Sequence, residues 1–184
     1  MNWKEVNKDW TLFLDRDGVI NVDKEGSYIF KVDEFSFYEG ALGAMKIFEE
    51  KFGHIVVVTN QRGVGRGLMS LGDLEDIHHH MLGAVKGAGG RIDRIYFCTS
   101  LDNDHPDRKP NPGMALRARQ DFPAIDFAKS IMVGNNISDM EFGRNAGMHT
   151  VFIRSTLPGT PFPHPAIDAV FDSLQDLAKA LQFS

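Results

Sequence analysis

WTLFLDRDGVIN, residues 10–21, sets an apolar run against a pair of acids: Leu12, Phe13 and Leu14 lead straight into Asp15 and Asp17, one residue apart. An apolar run of this kind, without alternation, suits a strand covered on both faces. In an extended segment ending there, the side chains of Asp15 and Asp17 lie on one side and Arg16 points away. Two carboxylates that close repel each other unless a cation or a shared proton compensates. The stretch therefore predicts a divalent metal at a strand end, and oxygen ligands with no Cys or His nearby favour Mg²⁺ over Zn²⁺. The plainer alternative is a surface turn carrying two solvated acids.

Working outward, four more short apolar runs follow, at 55–59, 94–98, 131–134 and 149–153. Between them lie helix-like stretches at about 40–51, 70–86, 112–121 and 138–145. Strands alternating with helices over short connections predict an α/β fold: three layers, with a central parallel sheet and helices on both faces. Ser70 with Asp73 caps a helix start, Gly53 marks a helix stop, and Asn111-Pro112 opens a new helix. TLPGTPFPHP, residues 156–165, reads as a surface crossing. Ser173 with Asp176 then starts a terminal helix with Leu174, Leu177 and Leu181 on one face.

In a parallel sheet, ligands collect beyond the carboxyl ends of the strands. The residues there are chemical ones: Asp15 and Asp17, Thr59 and Asn60, Asn135 and Asp139. In HIVVVTNQRGVGRG, residues 54–67, Thr59 offers a hydroxyl before a Gly-rich turn whose N–H groups suit phosphate oxygens, with Arg62 and Arg66 adding charge. In DRKPNPGM, residues 107–114, a proline-braced turn fixes Lys109, and Arg108 can fork a second anion. In MVGNNISDM, residues 132–140, Asn135 and Asp139 flank a helix start and offer metal-binding oxygens.

A length of 184 residues suits one domain, 1–184, with a core over about 10–153 and a Pro-rich crossing plus C-terminal helix over 154–184. The net charge of −5 argues against a nucleic-acid partner. Cys98, the one cysteine, cannot form an internal disulfide, and neither a signal peptide nor a membrane span is visible, which favours the cytoplasm. His78, His79 and His80 point in different directions on a helix and read as a solvated or partly packed face. Tyr28, Phe30, Phe35 and Phe37 suit either a site rim or a strand packed on the core.

The ordered set LFLDRDGVIN, TNQRGVGRG, RKPNPGM and VGNNISDM resembles the haloacid dehalogenase (HAD) superfamily. Within it, the set resembles the small capless branch that contains heptose bisphosphate and histidinol-phosphate phosphatases. GSYIFKVDEFSF, residues 26–37, is similar to that branch's substrate loop. The resemblance implies a Rossmann-like sheet of strand order 3-2-1-4-5 with no large cap domain. It implies Asp15 as nucleophile, Asp17 as general acid/base, and Thr59 and Lys109 as holders of the phosphoryl group. Asn60, Gln61, Arg62 and Arg108 would bind substrate, and Asp15, the Asp17 carbonyl, Asn135 and Asp139 would bind Mg²⁺. Asn135 stands where the family carries an acid, so Asp139 is expected to take more of the metal load. Where relatives hold structural zinc, this chain has Cys98, Ser100, His105 and Asp107, and zinc is not expected. The implied activity is a magnesium-dependent phosphatase of a small phosphorylated metabolite, acting as a monomer and most simply on a heptose bisphosphate. Histidinol-phosphate or other sugar-phosphate hydrolysis, nucleic-acid end-phosphatase activity and non-catalytic phosphosugar binding are the alternatives.

Overall fold

A computed structural model describes residues 2–183. Six strands, β1 (Thr11–Leu14), β2 (His54–Asn60), β3 (Arg94–Cys98), β4 (Ser130–Gly134), β5 (His149–Ile153) and β6 (Ala169–Phe171), form one sheet in the order β3-β2-β1-β4-β5-β6. Every neighbouring pair is parallel. The expected order 3-2-1-4-5 is therefore present and extended by one strand. β6 is three residues long and only partly buried, too short to stand out after the proline-rich crossing.

The helices are α1 (Ala41–Lys51), α2 (Arg62–Gly65), α3 (Leu71–Gly87), α4 (Gly113–Asp121), α5 (Ile137–Ala146) and α6 (Leu174–Gln182). Strand alternation divides them between two layers. Leu12 and Leu14 face a core built with Met45 and Phe48 of α1, Ile77 and Met81 of α3, and Leu177 and Leu181 of α6. Phe13 faces the opposite core, with Met114 and Ala118 of α4 and Phe142 of α5. Both layers cover β1 completely, so truncating Leu14 to alanine would cost about 2–5 kcal/mol and loosen the strand end that carries Asp15.

Ser70 and Asp73 form the expected capping box at α3, and Ser173 accepts from the Asp176 N–H at α6. Gly53 stands just past the helix end, as expected. The helix ends at Lys51, and Gly53 is required by close approach, since a Cβ there would lie 2.0 Å from the Lys8 carbonyl oxygen. The RGVG segment is a single helical turn, α2, rather than an open loop.

Candidate active site

β1 ends at Leu14, but the Asp15 N–H still donates to the Val133 carbonyl of β4 at 2.9 Å, so the sheet itself holds Asp15. Lys109 reaches it from the loop before α4. Its Nζ lies 2.8 Å from Asp15 Oδ1 and 2.7 Å from Asp139 Oδ1, and donates to the Val58 carbonyl at 2.9 Å. All three ammonium protons thus have acceptors in a group that is 4% exposed. Burial would lower the Lys109 pKa, but Asp139 and Asp15 outweigh it and raise it, so the ammonium stays charged. Asp15 is the strained partner. Burial first, then the charge of Asp139, push its carboxyl up to about 7 despite Lys109.

Asp17 has the opposite environment. Arg16 does not point away, as strand alternation predicted, because the extended geometry stops before it: its carbonyl accepts the N–H groups of Val19, Ile20 and Asn21 in a tight turn. The fully buried guanidinium folds back and clamps Asp17, with Nη2 2.8 Å from both carboxylate oxygens and Nε 3.1 Å from Oδ1. Asn21 Nδ2 donates to the same carboxylate at 3.0 Å and Gln61 Nε2 at 2.8 Å. Burial alone would raise the Asp17 pKa; Arg16 and these hydrogen bonds win and lower it.

Gln61, expected as a substrate contact, sits behind the pocket at 1% exposure. Its amide bridges Asp17 and Thr59 and accepts from Arg16 Nη2 at 3.3 Å. Because Thr59 Oγ1 accepts that bond at 2.9 Å, its own proton is left to donate into the pocket it lines. His78, expected on a solvated or partly packed helix face, takes the packed alternative. It is buried on α3 and its Nε2 lies 3.2 Å from Arg16 Nη1. Burial and the Arg16 charge drive its pKa down to about 4, so the neutral ring accepts from Arg16. The helical divergence of the triplet holds: His80 packs on Phe35 and Phe37, and His79 faces solvent.

Asp15, Asp17, Thr59, Asn60, Lys109, Asn135 and Asp139 line one cavity of about 270 Å³. An adjoining cavity of about 200 Å³ shares Asp17, Asp23 and Asn60 and adds Lys24, Ser27 and Tyr28. Of the four aromatic candidates, Tyr28 rims this second compartment while Phe35 is core. Arg66 lies over the Tyr28 ring at 5.7 Å. Arg62 bonds Asn103, yet its Nε is buried without a partner. Arg108 donates to the Ser100 carbonyl at 3.3 Å, and burial followed by the Arg62 charge lowers its pKa. The two guanidinium groups are thus neighbours.

The sequence model of the HAD-hydrolase-like family matches residues 107–177. The chain is 37% identical over 184 residues to D-glycero-beta-D-manno-heptose-1,7-bisphosphate 7-phosphatase of Escherichia coli (strain K12), covering 93% of each chain. It is 38% identical over 179 residues to the alpha-anomer enzyme of Mycobacterium bovis, covering 97% of this chain and 94% of the relative. This chain belongs to the HAD phosphatases. It is accordingly a phosphoric monoester hydrolase. The fold agrees with that of other HAD phosphatases: the D,D-heptose 1,7-bisphosphate phosphatase from B. bronchiseptica, complexed with magnesium and phosphate, superposes with a TM-score of 0.85 at 27% identity. That match covers 95% of this chain and 98% of the other. A putative HAD-like phosphatase from Mesorhizobium loti gives 0.78 at 30% identity, covering 96% and 88%.

The donor chemistry of this HAD site fits a hard cation. Besides Lys109 and Leu157, the cavity is lined by carboxylate, hydroxyl and amide side chains and by no Cys or His. Among the described residues no three His, Cys, Asp or Glu side chains cluster as a ligand set. That is a demanding shortage for a caged metal, but Mg²⁺ is commonly held by one or two carboxylates with water and substrate oxygens completing the shell. Burial and the Asp139 charge raise the Asp15 pKa, and a cation bound at its free oxygen would oppose both. Asp139, expected to take more of the metal load, has protein partners on both oxygens. Oδ1 is held by Lys109, and Oδ2 accepts the N–H groups of Asn135 at 3.1 Å and Asn136 at 3.0 Å, as the capping box of α5 requires. Free oxygens remain on Asp15 and Asn135.

Of the residues aligned with the zinc loop, Cys98 Sγ lies 3.7 Å from His105 Nδ1, which also accepts the Asp107 N–H at 3.1 Å. Asp107 pairs with Arg117 at 3.0 Å. Among the described residues, no helix is long and apolar enough to cross a membrane.

Proposed function

We propose that this chain hydrolyses one phosphate of a heptose 1,7-bisphosphate, with Mg²⁺ as cofactor. The observation that carries the substrate choice is the second anionic grip. Arg62 and Arg108 are neighbours, Arg108 interacts with Tyr28, which lines the compartment that continues from the Asp15 cavity, and Arg62 Nε is buried with no acceptor. A buried donor without a partner costs about 1–3 kcal/mol, which a substrate phosphate would recover. A monophosphate would leave that pair unused.

Asp15 acts as nucleophile: its carboxylate oxygen forms a bond to phosphorus as the bond from phosphorus to the sugar oxygen breaks. The leaving oxygen takes a proton through Asp17, and Asp17 then accepts one from the water that cleaves the aspartyl phosphate, returning free carboxylate and inorganic phosphate. Because the Arg16 clamp keeps Asp17 ionised, the first proton arrives with the substrate phosphate, whose second pKa lies near ~6. Thr59 donates its free hydroxyl proton to a phosphoryl oxygen, and Lys109 holds Asp15 in place while neutralising charge as it builds on the oxygens. Asp15, the Asp17 carbonyl and Asn135 would hold Mg²⁺, which supplies Lewis-acid charge neutralisation and keeps Asp15 ionised. Asp139 orients Lys109 and the Asn135 loop.

A turnover screen with Mg²⁺ over both anomers of heptose 1,7-bisphosphate, heptose 7-phosphate, other sugar phosphates and histidinol phosphate tests the reading. A bisphosphate should be preferred to its monophosphate by at least tenfold in kcat/KM, about the effect of one charge-assisted contact. Equal turnover of histidinol phosphate would contradict it. Arg108→Ala should erase the preference through KM, with hydrolysis of a generic phosphate ester unchanged.

A further inference from the structure

An amide ligand poses a problem that a carboxylate does not. The two ends of Asn135 are chemically opposite, one a carbonyl oxygen and the other an NH₂ group, and only the first can face a cation. The assignment follows from hydrogen-bond direction. Thr156 Oγ1 lies 3.2 Å from Asp23 Oδ1 and 2.7 Å from the Asn135 amide. The Thr156 hydroxyl donates its one proton to Asp23 Oδ1, so toward Asn135 it acts as acceptor and the amide nitrogen as donor. The NH₂ group therefore faces Thr156, packed over Gly18, where a Cβ would come within 2.0 Å of Nδ2. Gly18, at φ +80°, leaves that space open. The Asn135 oxygen has no hydrogen-bond partner among the described residues, in a cavity that Asn135, Thr156 and Asp23 all line with Asp15.

We infer that Thr156, fixed by Asp23, is a positioning residue that orients the Asn135 amide so that its carbonyl oxygen, and not its NH₂ group, meets the metal ion. The device comes from the segment after β5, which the sequence reading treated only as a surface crossing. Ser155 and Tyr38 support it: Ser155 Oγ donates to the Gly18 carbonyl, and the Tyr38 hydroxyl joins Asp23, Ser155 and Thr156. Without the Thr156 hydroxyl, the NH₂ group loses its acceptor and is better placed turned toward the cavity and the Asp15 carboxylate. Metal binding must then reverse the amide.

This inference rests on the magnesium reading above, and calorimetric titration of the full chain with Mg²⁺ alone separates the two. Thr156→Val keeps the shape of an exposed side chain and removes only the oxygen. It should weaken Mg²⁺ binding about tenfold, the equivalent of one hydrogen bond. Thr156→Ser should restore the wild-type affinity to within about twofold. The decisive arm is the N135D background. A carboxylate has oxygen at both ends, so Thr156→Val should there leave Mg²⁺ affinity unchanged. Equal affinity of wild type and Thr156→Val would overturn the inference, as would an undiminished loss in the N135D background. Absence of Mg²⁺ binding by wild type would instead overturn the magnesium reading and this inference with it.

Discussion

Asp15 and Asp17 are two positions apart and share one cavity, yet their surroundings drive them in opposite directions. Asp15 is crowded by Asp139 with a single shared ammonium between them, and its pKa rises to about 7. Asp17 has a whole guanidinium and two amide donors, and its pKa falls. Residue type is the same, so the difference belongs to the partners. A nucleophile under this strain is poised to be relieved by a cation, whereas a proton carrier bound this tightly is held in its basic form.

The comparison breaks most severely at Asp15 itself. Asp15→Asn should reduce kcat by at least about 10⁴-fold, since no covalent intermediate can form. The same variant, without a cation, should show no loss of melting temperature at pH 8, because it removes a buried charge repelled by Asp139. Lys109→Met leaves both acids facing one another and should cost about 3–5 kcal/mol in urea unfolding. Releasing the other carboxylate has a smaller effect: Arg16→Met frees Asp17 to rise toward its ordinary pKa and should lower kcat about 10²-fold, with the acidic limb of the pH–rate profile moving up.

An effect of similar size is read at His78, behind the clamp. Its folded pKa of about 4 lies below the free value of 6.5 through burial first and then the Arg16 charge, with His79 also opposing protonation and Asp17 favouring it. The neutral ring is fully compatible with the fold above pH 6.5, and the stability it contributes is lost as pH falls from there toward 4. Integrated over that window the loss is on the order of 3 kcal/mol. His78→Asn, which keeps an acceptor without a titrating ring, should flatten this part of the stability profile in thermal melts, while an unchanged profile would place the neutral ring elsewhere.

The parts of this architecture that follow local rules were legible in the sequence. Five strands announced themselves as apolar runs, and the rule that ligands gather past their carboxyl ends brought Asp15, Asp17, Thr59, Asn60, Asn135 and Asp139 into view. What stayed hidden depends on where the chain leaves a regular element. Strand alternation sent Arg16 away from Asp17, but the turn after Leu14 cancels the alternation and returns the side chain. Helical geometry showed that the three histidines diverge; only the packing of α3 against the β1 turn shows that His78 is the one that meets Arg16. Asp139 looked like a metal ligand by spacing, and the same spacing makes it the capping residue of α5 and the second anchor of Lys109. Thr156 carried no signal at all, being one polar residue in a proline-rich crossing.

The division of labour between the two acids is tested most directly by rapid-quench mass spectrometry of the enzyme turning over heptose 1,7-bisphosphate with Mg²⁺. The expected result is one transient phosphoryl group on the peptide that contains Asp15, absent in Asp15→Asn. Phosphorylation at another residue, or phosphate release by Asp15→Asn at the wild-type rate, would contradict covalent transfer through Asp15.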